Sequence, residues 1–189
     1  MRLFIAVAAA GGFLQEALMT QARLKQSGMR ASWTKPEQFH LTLHFLGETD
    51  PARLPDIRAA LDAAAKTESF ELACGRIGFF PEYGEPRVVW LGVQQPARLA
   101  RLRDRIGAEL ASRGLYADSR PFAAHLTLGR IARAGGTQKL PDEANAPAPR
   151  AGKPAMRVMR AALYESLRSG SGTEHKELYG AALKRSGIP

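Results

Sequence analysis

The sequence predicts an α+β fold with a pseudo-twofold arrangement, and three observations carry that expectation. Short apolar runs with strand-like alternation are separated by segments whose apolar residues recur at helical spacing. The tetrapeptide His40-Leu41-Thr42-Leu43 returns as His125-Leu126-Thr127-Leu128, each copy inside a strand-like run and each followed by a glycine, Gly47 or Gly129. The chain has 189 residues, enough for one compact domain or two small lobes sharing a core. We expect a single domain over 1–189 with two lobes.

Strands are expected at 2–8, 39–46, 69–77, 87–93, 122–129 and 158–164. Helices are expected over 12–26, 52–66 and 97–113. In the last, Leu99, Leu102, Ile106 and Leu110 recur every three or four residues and line one face. Pro51 and Pro55 open the second helical region, and Gly114 closes the third. Residues 133–154 are rich in Ala, Pro and Gly without periodicity, and read as a long loop, either a substrate-contacting lid or a solvated connector. The opening Arg2-Leu3-Phe4-Ile5-Ala6-Val7 is compatible with a short signal peptide, but its single positive charge favours a buried first strand.

Composition narrows the function classes. The formal net charge is +9, carried mostly by arginine, whose planar fork suits phosphate groups. The one cysteine, Cys74, excludes an internal disulfide and a cysteine metal cluster, and fits a reducing, cytoplasmic setting. No apolar run reaches the length of a membrane span.

On a strand, alternate side chains share a face. His40 and Thr42 therefore face one side, with Leu41, Leu43 and Phe45 directed to a core on the other. His125 and Thr127 share a face in the second copy, backed by Leu126 and Leu128. One such strand is an ordinary surface pattern. Two identical ones, using two of only four histidines, point to a site. Histidine suits proton transfer near neutral pH, and threonine hydroxyls can donate to phosphate oxygens. In-line displacement at phosphorus needs an acid and a base on opposite sides, which a pseudo-twofold histidine pair supplies.

These residues resemble the RNA 2′,3′-cyclic phosphodiesterases, also called the 2′-5′ RNA ligase family, among the two-histidine (2H) phosphoesterases. The likeness rests on the paired His-Leu-Thr-Leu motifs and extends to several flanking stretches. These are MRLFIAV, Trp33 with FHLTLHFLG, Gly78-Phe79-Phe80-Pro81, Arg87 to Val93, Arg120-Pro121-Phe122, and Leu163 to Ser166. The resemblance implies a bilobal α+β fold with two antiparallel sheets flanking a central groove and helices outside. It also implies hydrolysis of a terminal 2′,3′-cyclic phosphate to a 2′-phosphate, with no metal or other cofactor. It makes His40 the proton donor and His125 the proton acceptor, although near-identical motifs do not by themselves separate the two roles. Two departures stand out: Ala124 precedes His125 where the family often has proline, and His175 stands where it often has tyrosine.

Arg130 follows the second motif and resembles a phosphate-contacting arginine of the family. His44 shares strand parity with His40 and Thr42, so it faces either the groove or a solvated rim. The spacing of His40 and His44 suits a zinc site only on a helix, and no acidic partner lies between them, so no metal is expected. Trp33 is a candidate for stacking on a nucleobase. The expected partner is an RNA or nucleotide end bearing a cyclic phosphate, with no membrane and a monomeric chain. The rival readings are a phosphoesterase of small cyclic nucleotides or cyclic ribose phosphates, and a non-catalytic nucleotide-binding module.

Overall fold

The first strand, β1 (Arg2–Ala8), is apolar on both faces and almost wholly buried, which places it inside the fold. The computed structural model describes residues 1–115, 121–131, 155–170 and 172–185; the loop expected at 133–154 lies outside them. The chain continues through α1 (Gly11–Gln26), β2 (Ala31–Trp33), β3 (His40–Glu48), α2 (Leu54–Ala64), β4 (Phe70–Phe80), β5 (Val88–Gln94) and α3 (Ala97–Ala111). It closes with β6 (His125–Ile131), β7 (Ala155–Val158), β8 (Arg160–Ser169) and β9 (Gly172–Ala182). Pro51–Arg53 forms a 3-10 turn ahead of α2 rather than part of that helix.

All three expected helices and six expected strands are present, with shifted ends. β2, β7 and β9 were not foreseen. β2 spans 3 residues, too few to show a period. β9 is polar and mostly exposed over 172–177, so that stretch lacks the apolar alternation that marks a half-buried strand.

The strands form one antiparallel sheet in the order β7-β4-β5-β6-β3-β1-β8-β9, with β2 paired to β6. The two expected sheets are therefore halves of a single curled sheet. One half holds β7, β4, β5 and β6 with β2 added, the other β3, β1, β8 and β9, and the motif strands β3 and β6 meet at the seam through the pair Leu41–Leu126. The helices interleave the halves: α1 packs on β4, β6 and β7, whereas α2 and α3 pack on β3, β8 and β9. Leu99, Leu102, Ile106 and Leu110 of α3 are buried, as their spacing predicts. Among the described residues, no helix is long and apolar enough to cross a membrane.

Both motif strands carry a β-bulge at the same place. In β3, Ile5 pairs with His44 and Ala6 with Thr42, leaving Leu43 extra. In β6, Val89 pairs with Gly129 and Trp90 with Thr127, leaving Leu128 extra. A bulge inserts one residue and flips the facing of everything beyond it. The pseudo-twofold echo thus extends past the tetrapeptide into backbone geometry that the residue types do not reveal.

Candidate active site

The bulges decide which side chains share a face with the motif histidines. Leu43 and His44 both turn to the helix side, as do Leu128 and Gly129. Phe45 and Arg130 then return to the concave face beside His40 and Thr42, and beside His125 and Thr127. Two expectations are corrected here. His44 is 2% exposed, and its Nε2–H donates to the Arg103 carbonyl of α3 at 2.7 Å, with Gly107 beneath its ring. It contacts no groove. Phe45, expected in the core by simple alternation, is 51% exposed.

Trp33 is also corrected. It pairs with Gly129, where any Cβ would press against its ring at 2.9 Å, and Lys25 of α1 lies over it at 5.5 Å. Its ring belongs to the helix side of the sheet, away from the catalytic-type histidines.

His40, Thr42, His125 and Thr127 come together at the seam. The antiparallel sense of the Leu41–Leu126 pair sets His40 across from Thr127 and Thr42 across from His125. Each imidazole is anchored the same way. His40 Nδ1 bonds the Gln38 carbonyl at 2.6 Å, and His125 Nδ1 bonds the Ala123 carbonyl at 2.7 Å. A carbonyl only accepts, so both Nδ1 atoms carry hydrogen, and in the neutral ring Nε2 keeps its lone pair. Among the described residues, no hydrogen bond engages the hydroxyl of Thr42 or Thr127. Each is therefore available as a donor.

Aromatic walls back each histidine. Phe4 lies 5.0 Å from His40 and 4.8 Å from His175 between ring centroids, stacks on Tyr164 at 5.3 Å, and approaches Phe45 at 6.3 Å. On the other side, Phe80 meets His125 edge-on at 4.9 Å, and Trp90 stands 6.1 Å from it. Trp90 lies flat across Gly78, where an added Cβ would fall 2.2 Å from the indole.

Burial dominates the electrostatics. It pushes His40 down to about 4, against an upward pull from the Gln38 carbonyl, with smaller downward pushes from His175 and His125. Burial likewise lowers His125, partly countered by the Ala123 carbonyl, and lowers His175. The site therefore resists positive charge until an anion enters it.

The sequence reading connected His175 with substrate contacts only as a departure from the family's tyrosine, and did not assign Phe4, Tyr164, Phe80 or Trp90 to the site. His175, on β9, stands 5.1 Å edge-on from His40, and Gln38 Nε2 donates to the Thr173 carbonyl, tying β9 to the residue that anchors His40. The departure from tyrosine at 175 was the one available signal. Strand β1 offered none, because its unbroken apolar run hides which face Phe4 takes.

Comparisons with known proteins identify the family of the chain. The model of the LigT-like phosphoesterase family matches the chain twice, over residues 9–90 and 91–173, one match per motif. An RNA 2′,3′-cyclic phosphodiesterase of Archaeoglobus fulgidus is 36% identical over 134 residues, 70% of this chain and 74% of that protein. A protein of the same name from Thermotoga maritima is 33% identical over 132 residues, 69% of this chain and 70% of that one. A third, from Geobacillus stearothermophilus, is 39% identical over 100 residues, where the match spans 32% of its length. A solved structure of a Thermus thermophilus protein superposes with a TM-score of 0.78 at 26% identity, covering 99% of this chain and 100% of that one. Escherichia coli LigT complexed with 3′-AMP gives 0.74 at 26% identity, covering 97% and 98%. Paired motifs, matching bulges and both family-model matches lead to one conclusion: the chain belongs to the LigT-like phosphoesterase family.

Proposed function

We propose that this chain is an RNA 2′,3′-cyclic phosphodiesterase that hydrolyses a terminal 2′,3′-cyclic phosphate to a 2′-phosphate without a metal. The observation that carries the reading is the matched pair of imidazoles, each anchored through Nδ1 to the carbonyl two residues before it and each beside a threonine hydroxyl. That constellation suits a phosphodiester held at the seam.

The cyclic phosphate lies between β3 and β6, with its non-bridging oxygens accepting from Thr42 and Thr127. Arg130, on the same face, helps neutralise developing charge. His125 Nε2 takes a proton from water as its oxygen bonds to phosphorus. The bond from phosphorus to the 3′ oxygen breaks, and His40 gives that oxygen its proton. One proton has then moved from His40 to His125 and returns through solvent. Microscopic reversibility allows the same site to join RNA ends through a 2′-5′ bond. The net charge of +9 favours polyanionic substrates.

The test is hydrolysis of an oligonucleotide ending in a 2′,3′-cyclic phosphate in excess EDTA, with products resolved against 2′- and 3′-phosphate standards. Wild type should form the 2′-phosphate, and His40→Ala and His125→Ala should each lose on the order of 10²- to 10⁴-fold in rate. Strong turnover in either variant would sink the assignment.

A further inference from the structure

We infer that a cavity beside His125, on the face of the sheet that bears the motif histidines, is a subsite for RNA backbone phosphate. It takes the phosphodiester on the 5′ side of the nucleotide whose cyclic phosphate is opened. The inference rests on the phosphodiesterase reading and extends the recognised substrate from the cyclic end into the strand that carries it.

Strand register places the cavity. Gly92 of β5 pairs with His125, so the two lie on one face. Gly92 raises no side chain there, and the edge of the Trp90 ring covers it. Gln94, two residues on, returns to that face about 7 Å along the strand. Ala73 of β4 pairs with Gln94, and Ala155 of β7 pairs with Ala73. Glu71 and Arg157, themselves a pair, follow on the same face by alternation. The first two turns of α3 bring Arg98 and Arg101 to the far side. Together these residues border a cavity of about 750 Å³, within the usual size of a ligand site.

Charge decides what the cavity suits. Its two acids each have a cation as cross-strand neighbour: Glu71 stands across from Arg157, and Glu68 bridges to Lys184. Arg157 is held in place, because its Nε and Nη2 donate to the hydroxyl of Ser69 at 3.2 and 3.1 Å. Ser69 is itself 4% exposed. Among the described residues, no carboxylate pairs with Arg98 or Arg101. Three residues apart on α3, these two lie on neighbouring turns and line the same cavity. A guanidinium is weakly hydrated and its planar fork matches phosphate oxygens, so the pair suits a phosphodiester better than a carboxylate or a sugar. A cyclic mononucleotide has no phosphate to place there. An RNA strand does, and such a contact positions the strand without reading its sequence.

The experiment measures kcat/KM on three substrates. They are 2′,3′-cyclic AMP, the dinucleotide ApA with a 2′,3′-cyclic end, and the same dinucleotide with an uncharged methylphosphonate link. Wild type should favour the native dinucleotide over the other two by about tenfold or more, as expected for a charge-assisted contact. Arg98→Gln/Arg101→Gln should erase that gain and reduce the salt slope for the native dinucleotide by about one. It should hold cyclic AMP within about twofold. Arg30→Gln/Arg58→Gln, which removes the same charge from exposed positions elsewhere, should keep the gain. A wild type indifferent to the phosphate charge, a gain that survives the Arg98/Arg101 variant, or an equal loss on cyclic AMP would overturn the subsite. So would a variant that weakens inhibition by inorganic phosphate yet keeps the gain, since the cavity would then take free anions rather than RNA. A wild type that opens none of the three substrates would instead overturn the phosphodiesterase reading beneath it.

Discussion

Lowering the pH from 8 to 5 should raise kcat/KM for a cyclic nucleotide, and the size of the rise follows from burial at the seam. In the proposed mechanism, the reactive free enzyme carries one proton on the His40–His125 pair. His40 sits at about 4 and His125 below its ordinary 6.5, both pushed down chiefly by burial. At pH 7 His40 is protonated in about one molecule in a thousand. The kcat/KM profile should therefore peak on the acid side of 6.5 and fall about tenfold per pH unit above the upper ionisation. A bound phosphodiester anion favours the charged imidazole, so kcat should peak at higher pH than kcat/KM. Stability changes in the opposite direction to kcat/KM. Unfolded histidine takes up its proton near 6.5 and folded His40 only near 4, so stability is lost as pH falls through that window. Replacing His40 with Phe should remove part of this acid sensitivity. Ring-nitrogen NMR titration, a pH–rate series and thermal unfolding at pH 5 and 7 together make the assay. A kcat/KM optimum at or above pH 7.5, or a His40 that titrates near 6.5, would refute the reasoning.

Three substitutions test the surrounding framework. Gly78→Ala should cost roughly 1–3 kcal/mol in chemical denaturation, because its methyl collides with the Trp90 ring, and should cut turnover as Trp90 shifts against His125. His44→Ala should lower stability by roughly 2–4 kcal/mol, through the cavity it leaves and the loss of its hydrogen bond to the Arg103 carbonyl, yet leave kcat/KM of the folded enzyme within about threefold. A large kinetic loss with unchanged stability would return His44 to the groove. Thr42→Val and Thr127→Val should each reduce kcat/KM about 10- to 100-fold, as expected when a hydrogen bond to a charged oxygen is lost, with the melting temperature within about 2 °C.

The sequence by itself determined the fold class, the three helices, and the pair of histidines and threonines, because each of these depends on local periodicity or on a repeated motif. The spacing of Leu99, Leu102, Ile106 and Leu110 buries one face of α3 whatever lies opposite. Alternation holds from His40 to Leu43 and from His125 to Leu128, so the face that the motif histidines and threonines share is legible there. Beyond those four residues only the tertiary structure decides. A bulge depends on how a strand registers with its neighbour, and no residue type in His44-Phe45 or Gly129-Arg130 announces it. That is why His44 belongs to the helix side and Phe45 to the groove, the reverse of what alternation predicts. His175 reaches His40 from β9 only because the sheet curls: β9 is three strands removed from β3 in sheet order, yet the two rings lie 5.1 Å apart. The depressed proton affinity of His40 is likewise a property of the assembled walls, since burial, its largest cause, arises only when Phe4 and its neighbours close around the ring.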